Sequence, residues 1–98
     1  MYEFSETETD TLFRIYRKGR ICERHISQQD LLRGVKPHLI GEYKGAIDNL
    51  VKIGFLCQRK KGNRIDLCYP PSRRKDIENI LKASGRYPQI FSIKIVKK

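Results

Sequence analysis

Residues 37–69 decide the fold, and they read PHLIGEYKGAIDNLVKIGFLCQRKKGNRIDLCY. The first half has helical periodicity and predicts a helix over about 37–53. Its apolar stripe recurs every three or four residues and contains Ile40, Tyr43, Ile47, Leu50 and Val51. The second half alternates with a period of two on both sides of a glycine and an asparagine, which tolerate positive φ. We therefore predict a helix that runs directly into a β-hairpin.

The hairpin has two candidate registers. A two-residue loop at Gly62 and Asn63 would pair Cys57 with Cys68. A three-residue loop over 61–63 would instead collect the apolar side chains on one face of the hairpin, namely Phe55, Cys57, Ile65, Leu67 and Tyr69. Because one clean apolar face is what fixes the register of a sheet, we predict the three-residue loop.

Serine residues mark the starts of two earlier helices. Ser5 followed by Glu8 has the form of a capping box and predicts helix one over about 7–18. Ser27 is the predicted cap of helix two, which should span about 28–33 and end at a glycine. Helix two, a short glycine-containing turn and helix three together have the outline of a helix-turn-helix unit.

The remaining segments are shorter or terminal. Residues 20–26 are too few for a stable helix and predict a short strand or an extended linker. Ser72 is the predicted cap of helix four, over about 73–84. The tail alternates apolar and polar residues from Phe91 onward, and its alternatives are an edge strand, pairing with a second copy of the chain, or a frayed terminus.

The composition fits one domain. The chain has 98 residues, 39% of them hydrophobic and 33% charged, so we expect a single domain over 1–98 with its core at about 7–84 and a tail at 85–98. No apolar run approaches the roughly 20 residues that a membrane-spanning helix needs. The first ten residues are acidic, the reverse of a secretory signal, and we predict a cytoplasmic location.

The charge points to a polyanionic partner. The formal net charge is +10, and four of the eleven acidic residues lie within the first ten positions, so the rest of the chain is more basic than the total suggests. Such an excess of positive charge on a small domain is costly in self-repulsion unless a polyanion offsets it. Nucleic acid is therefore the leading partner class.

The predicted order of helix, short strand, helix, longer helix, basic hairpin and helix resembles the winged helix-turn-helix family. The resemblance covers about 7–84, and its most telling part is the run over 47–67, where LVKIGFL leads from a helix into a strand, a charged turn and a second strand. It implies an α+β, mostly helical fold: a three-helix core with a hairpin wing, to which this chain adds a C-terminal helix and a tail strand.

The resemblance also implies a function. The third helix of such domains enters the major groove of double-stranded DNA while the wing contacts the backbone, so we expect a transcriptional regulator that binds duplex DNA as a homodimer. Carried onto this chain, the nucleic-acid-binding residues would be Lys36, His38, Lys44, Asn49 and Lys52 in or before helix three, Arg59, Lys60, Lys61 and Arg64 in the wing, and Arg73, Arg74 and Lys75 in helix four.

The exposed face of helix three allows more than one use. Glu42 and Asp48 share that face and would lie against a polyanion, so either they accept hydrogen bonds from cytosine amino groups or the helix docks shallowly. Gly41 and Gly45 lie four residues apart on the same face and would let a DNA backbone or a partner helix approach closely.

Metal and catalytic sites are not predicted. Cys22, His25, Cys57 and Cys68 lack the paired spacing that makes a zinc site convincing, and we expect buried or half-buried reduced thiols. The sequence has no phosphate-cradling glycine loop and no nucleophile with an evident base, so we predict no enzymatic activity, no cofactor and no small-molecule ligand.

Two other function classes compete with DNA binding. A winged-helix domain can be a protein–protein interaction module, which here would use the glycine-lined face of helix three or the edge of the tail. It can also bind RNA, and Tyr87 or Phe91 would then offer surfaces on which bases stack.

Overall fold

The computed structural model describes residues 3–18 and 25–85. Its architecture is α+β and mostly helical, with one small antiparallel sheet. In chain order the elements are α1 (Glu6–Arg17), β1 (Ile26–Ser27), α2 (Gln28–Leu31), α3 (Ile40–Lys52), β2 (Cys57–Lys61), β3 (Arg64–Cys68) and α4 (Arg74–Ser84). Short 3-10 turns, Pro37–Leu39 and Pro71–Arg73, lead into α3 and α4. The predicted tail strand, and most of the predicted segment 20–26, lie outside the described residues.

Two of the three predicted serine caps are confirmed. Ser5 Oγ accepts a hydrogen bond from the backbone nitrogen of Glu8 at 3.1 Å, and the Glu8 carboxylate accepts one from the backbone nitrogen of Ser5 at 2.9 Å. Ser27 Oγ accepts from the backbone nitrogen of Asp30 at 3.1 Å. Each serine thus satisfies a backbone donor that the first helical turn leaves without a partner, which is why α1 and α2 start at these positions.

Helix four begins differently from the prediction. Ser72 is not its cap: it lies inside the 3-10 turn Pro71–Arg73, and Arg73 precedes the first residue of α4 without any side-chain capping bond. The fixed φ of Pro71 starts this turn, as proline commonly does at the first position of a helix. The predicted C-terminus is confirmed, because Gly85 ends α4 in the left-handed conformation with φ of 68°.

The sheet corrects the predicted hairpin register. Its strand order is β1-β3-β2, and in the β2–β3 pair Cys57 lies opposite Cys68 and Lys61 opposite Arg64. The predicted three-residue loop is therefore wrong, and the turn has two residues. Gly62 takes positive φ, 61°, and no non-glycine residue of the described chain does, so Asn63 follows it at negative φ as in a type II′ turn.

The physical reason for the correction is where β2 meets the core. Leu56, 3% exposed, is the residue that enters the core just before β2, whereas Phe55 is only half-buried and packs at the edge of the core. There its ring lies edge-to-face against Phe4, with ring centres 5.2 Å apart. Beyond Leu56 the strand leaves the core, and an apolar face is no longer needed to fix its register.

One hydrophobic core lies between the helices and the inner face of the sheet. Side chains with no exposed surface come from α1, α3, the central strand β3 and α4: Leu12, Ile15, Ile47, Leu50, Leu67, Ile77 and Leu81. Ile47 and Leu50 belong to the apolar stripe predicted for helix three. The stripe orients α3 so that the opposite side of the helix stays on the molecular surface.

A polar cluster fixes α3 against α1 and the end of α2. Tyr43 Oη donates to Asp10 Oδ2 at 2.6 Å, and the same oxygen accepts from Arg14 Nε at 2.9 Å. The Arg14 guanidinium lies 5.6 Å from the centre of the Tyr43 ring, and its Nη1 donates to the carbonyl oxygen of Arg33 at 3.1 Å. Burial, followed by the hydrogen bond and charge of Asp10, raises the pKa of Tyr43 to about 12.

This cluster predicts a loss of stability at alkaline pH. Tyr43 keeps its proton up to about pH 12 in the folded protein, whereas the unfolded chain loses it near its ordinary pKa of 10.0. The contribution is therefore fully present below pH 10 and falls between pH 10 and 12. Tyr43→Phe should lower the free energy of unfolding at pH 7 by about 1–2 kcal/mol, and the difference from wild type should shrink as the pH rises through this window. Urea unfolding at several pH values measures it, and a difference that does not depend on pH would contradict it.

Candidate nucleic-acid interface

The wing, which we define as β2, β3 and their turn, carries its cations on both faces. Arg59, Lys61 and Arg64 share one face with the acidic Asp66, because directly opposed residues of an antiparallel pair point to the same side. Lys60 points to the other face. All four cationic side chains are exposed, so the wing offers positive charge to either side of its tip.

Arg64 is the best-oriented of these cations. Its Nε donates to Asp66 Oδ1 at 2.7 Å, while the side chains of Arg64 and Asp66 are 64% and 14% exposed. Within the described residues, Arg64 donates through Nε alone, which leaves its two terminal nitrogens without a hydrogen-bond acceptor there. A guanidinium fixed in this way is suited to two-point recognition of a phosphate.

A cleft of about 970 Å³ separates the tip of the wing from α2 and the start of α3. Three of the predicted binding residues line it together, Lys44 from α3 and Lys61 and Arg64 from the wing. Asp30 is the one acidic residue of the lining, and it forms an ion pair with Arg33 at 3.0 Å. The cleft therefore carries a net positive charge.

The cleft also contains residues that the sequence did not single out. Gln28 and Gln29 come from α2, and Asn63 comes from the turn of the wing. Within the described part of the chain, none of these three amide side chains is hydrogen-bonded to another residue. No local pattern marks them, because α2 and the turn are more than 30 positions apart and meet only in the folded protein.

The exposed face of α3 is asymmetric. Glu42 accepts a hydrogen bond from the Thr7 hydroxyl of α1, so this acid lies on the α1 side of the helix. Lys44 lies on the opposite side, at the cleft. Asn49 and Lys52 are exposed and lie about one and a half and about two turns further along the helix than Lys44, and neither lines the cleft.

The two glycines of α3 lie in open space. A Cβ atom added at Gly41 or at Gly45 would meet no atom within 4 Å. The surface strip that the two glycines form is thus free of contacts within the described protein. Close approach of a DNA backbone or of a partner helix requires such an open strip.

Two predicted residues lie before α3. Lys36 precedes the Pro37–Leu39 turn and His38 lies within it, and both are exposed. Neither belongs to the lining of the cleft. Among the described residues, no carboxylate lies within 4 Å of Lys36, Lys44, Lys52, Arg59, Lys60, Lys61 or Lys75, so these predicted cations are available to an external anion.

Arg73 is bound within the protein. Its guanidinium lies 4.7 Å from the centre of the Phe55 ring, Nε donates to the carbonyl oxygen of Gly54 at 3.4 Å, and Nη1 donates to Asp76 at 3.0 Å. These contacts join the start of α4 to the end of α3. Arg74 is paired with Glu78 at 3.4 Å, so of the three predicted helix-four cations Lys75 is the one without a carboxylate partner among the described residues.

The contacts of Arg73 predict that it acts on stability rather than on binding. Arg73→Lys keeps the charge but loses the planar stacking on Phe55 and the fixed geometry of the hydrogen bonds. We expect the free energy of unfolding to fall by about 1 kcal/mol, the usual size of a partly exposed cation–π contact, with DNA affinity within twofold of wild type. Chemical denaturation and fluorescence anisotropy measure the two quantities. A large loss of affinity with unchanged stability would assign Arg73 to the interface.

The cysteines of the wing differ from the prediction in one respect. The predicted register pointed Cys57 and Cys68 to opposite faces, whereas in the structure they are opposed and share a face. Cys68 is buried and Cys57 is half-buried, as expected. Within residues 3–18 and 25–85, no group of three or more metal-ligating side chains is close enough to hold a metal ion. Cys22 lies outside these residues.

Comparisons with known proteins give no family. No protein-family model matches the chain, and no curated protein or solved structure matches it. In the part of the chain that the structure describes, none of the helices has the length and apolar character needed to cross a membrane.

Proposed function

We propose that the protein is a double-stranded DNA-binding transcriptional regulator of winged helix-turn-helix type. In this proposal α3 approaches the major groove, and the wing contacts the phosphate backbone. The order of the elements supports it, since α2 and α3 are joined by a short turn and the basic hairpin follows α3 directly.

The observation that carries the proposal is the meeting of α3 and the wing at one cleft. Lys44, Lys61 and Arg64 come from two separate elements, yet they line the same cleft. A cation cluster assembled from distant parts of the chain presents a continuous positive surface, and a polyanion neutralises such a surface at several points at once.

The acidic residues of α3 limit how the helix can dock. Glu42 is hydrogen-bonded to Thr7 on the α1 side, away from the wing. DNA that approaches from the wing side would meet Lys44 first and would pass Asp48, which is exposed. We therefore propose a shallow approach of α3, in which the wing supplies most of the phosphate contacts.

The salt dependence of binding tests the proposal. Each phosphate that a cation neutralises contributes about 0.9 to the slope of log affinity against log salt concentration. With Lys44, Lys61 and Arg64 in contact, the wild-type protein should bind a mixed-sequence duplex with a slope of about −2.7 or steeper. Fluorescence anisotropy with a labelled duplex over a range of salt concentrations measures the slope.

The same titration separates the competing function classes. A matched RNA hairpin that binds more tightly than the duplex would make the protein an RNA binder. Retention of neither nucleic acid at low ionic strength would refute the proposal and favour a protein–protein interaction module.

A further inference from the structure

Two cysteines lie directly opposite each other at the base of the wing. Cys57 is the first residue of β2, Cys68 is the last residue of β3, and the two are paired across the strands. Directly opposed residues of an antiparallel pair point to the same face, with Cα atoms about 4.5–5.5 Å apart. Disulfides join residues whose Cα atoms are about 4.4–6.8 Å apart. The backbone therefore already holds both thiols at a separation that a disulfide spans.

The position of the pair along the hairpin sets the geometry of such a bond. The pair that closes the two-residue turn, Lys61 with Arg64, is hydrogen-bonded, and hydrogen-bonded and non-hydrogen-bonded pairs alternate from there. Cys57 and Cys68 thus form a hydrogen-bonded pair, the kind whose side chains are further apart. A disulfide at this position draws the two strand ends together and carries some strain, and strained disulfides are the ones that are readily reduced again.

The two thiols differ in accessibility. Cys57 is half-buried, whereas Cys68 is 1% exposed. An oxidant in solution therefore reaches the sulfur of Cys57 first, because oxidation of a cysteine follows its exposure. Cys68 is sheltered from the oxidant but lies directly across the strand pair from Cys57, so it is placed to react with an oxidised Cys57.

We propose that Cys57 and Cys68 are a reversible thiol–disulfide site, in which Cys57 reacts first and Cys68 closes the bond. With glutathione disulfide as the oxidant, the Cys57 thiolate attacks one glutathione sulfur and releases the first glutathione thiolate. The Cys68 thiolate then attacks the Cys57 sulfur of this mixed disulfide and releases the second. The thiol protons pass to the solvent, and glutathione disulfide gains the two electrons that the cysteines lose. The inference is independent of the proposed function, since it concerns the protein alone.

The bond acts on a weakly supported strand. Among the described strands, β2 lies at the edge of the sheet and is paired with β3 alone. Residues 59–61 of β2 are exposed, so little packing holds this part of the strand. A covalent link from the first residue of β2 to the central strand β3 restricts the opening of the hairpin. Oxidation should therefore slow amide hydrogen exchange in β2.

The experiment incubates the folded protein in graded mixtures of reduced and oxidised glutathione, blocks the remaining thiols by alkylation and maps the tryptic peptides. Trypsin cuts after Arg59 and Arg64, so the two cysteines of the wing fall on separate peptides that only a disulfide joins. We expect the cross-link between Cys57 and Cys68, within one chain, to be the main oxidised product and to be lost on addition of dithiothreitol. Hydrogen exchange followed by mass spectrometry should be slower in β2 of the oxidised form.

Single-cysteine variants test the order of the two steps. Cys68→Ala lacks the second step, so Cys57 should accumulate as a mixed disulfide with glutathione. In Cys57→Ser the buried Cys68 should stay reduced. Cys22→Ser is the matched control: it also removes one thiol, and it should form the cross-link in the same glutathione mixtures as the wild type. The peptide map of the wild type decides the pairing even if Cys68→Ala, which changes a buried position, does not fold.

Several results would overturn the inference. Cys57 and Cys68 that stay reduced in every mixture, or that become linked only after unfolding in urea, would show that the native register does not bring them to bonding distance. A main product that contains Cys22, or that joins two chains, would assign the bond elsewhere. An adduct on Cys68 in Cys57→Ser, as abundant as that on Cys57 in Cys68→Ala, would contradict the order of reaction. Unchanged exchange in β2 would remove the effect on the wing. All of these results leave the proposed function untouched.

Discussion

Replacing Lys60, Lys61 and Arg64 together by glutamine should weaken duplex DNA binding about 100-fold at low salt, if each lost phosphate contact contributes about 1 kcal/mol. The three side chains are exposed and lie next to the turn of the wing. The loss should also reduce the steepness of the salt dependence by about 2.7, or about 0.9 for each contact. Glutamine at position 64 retains an amide that can donate to Asp66, which limits the cost to folding. Anisotropy titrations at several salt concentrations measure both effects.

A charge-matched variant controls for the general loss of positive charge. Three exposed cations at the C-terminal end of α1 and on α4 belong neither to the wing nor to the cleft, namely Arg17, Lys18 and Lys82. Their replacement by glutamine lowers the net charge by the same amount and should change the affinity by only a few fold. If the two triple variants bind DNA equally well, the wing has no special role and the protein binds through its overall charge alone.

Replacing Leu56 by alanine should lower the free energy of unfolding by about 2–5 kcal/mol, the range for removing a buried leucine side chain. Leu56 is 3% exposed where α3 passes into β2. The total free energy of unfolding of a small domain is about 5–15 kcal/mol, so the melting temperature of the variant should lie at least about 10 °C below that of the wild type. Thermal and urea unfolding followed by circular dichroism give the value.

The Leu56 variant also tests the register of the hairpin. In the register with a three-residue loop, Phe55 and Cys57 would face the core and the residue between them would face solvent. A melting temperature that is unchanged by Leu56→Ala would therefore contradict the two-residue turn. Leu56→Met conserves most of the volume and should cost less than about 1.5 kcal/mol, which shows whether the loss comes from the cavity.

The parts of the fold that the sequence predicts well depend on neighbouring residues. The Ser5–Glu8 capping box spans three positions, and the apolar stripe through Ile47 and Leu50 repeats within one helix. Such features form in the same way wherever the segment lies in the fold. The coarse α+β architecture and the hairpin after α3 follow from them.

The register could not be predicted because it depends on how far β2 runs along the core. Alternation over 55–69 assumes that both strands pack on the core for their whole length, whereas β2 departs from it after Leu56. The conformation of the turn residues agrees with the observed register. A turn with Gly62 alone at positive φ fits two residues, whereas the number of apolar side chains on one face favoured the three-residue loop.

The candidate site was predicted in part for a similar reason. The positive charge of the wing and of α4 predicts Arg64 and Arg73 equally as binding residues, but their tertiary contacts distinguish the two. Arg73 meets Gly54, 19 positions earlier, and stacks on Phe55, whereas Arg64 lines the cleft with Lys44. Which cations face outward is thus decided by packing that composition does not reveal.

The two-residue turn gives the wing a gradient of local stability. At its base Leu67, Cys68 and Tyr69 are buried, whereas the last pair, Lys61 and Arg64, is exposed and held mainly by backbone hydrogen bonds. Amide hydrogens near the tip should therefore exchange with solvent through local opening, while those at the base exchange only when the domain unfolds. A ligand that orders the tip of the wing must offset the conformational entropy that the tip loses. The affinity of the wing therefore also depends on how strongly the base of the hairpin already restricts the tip.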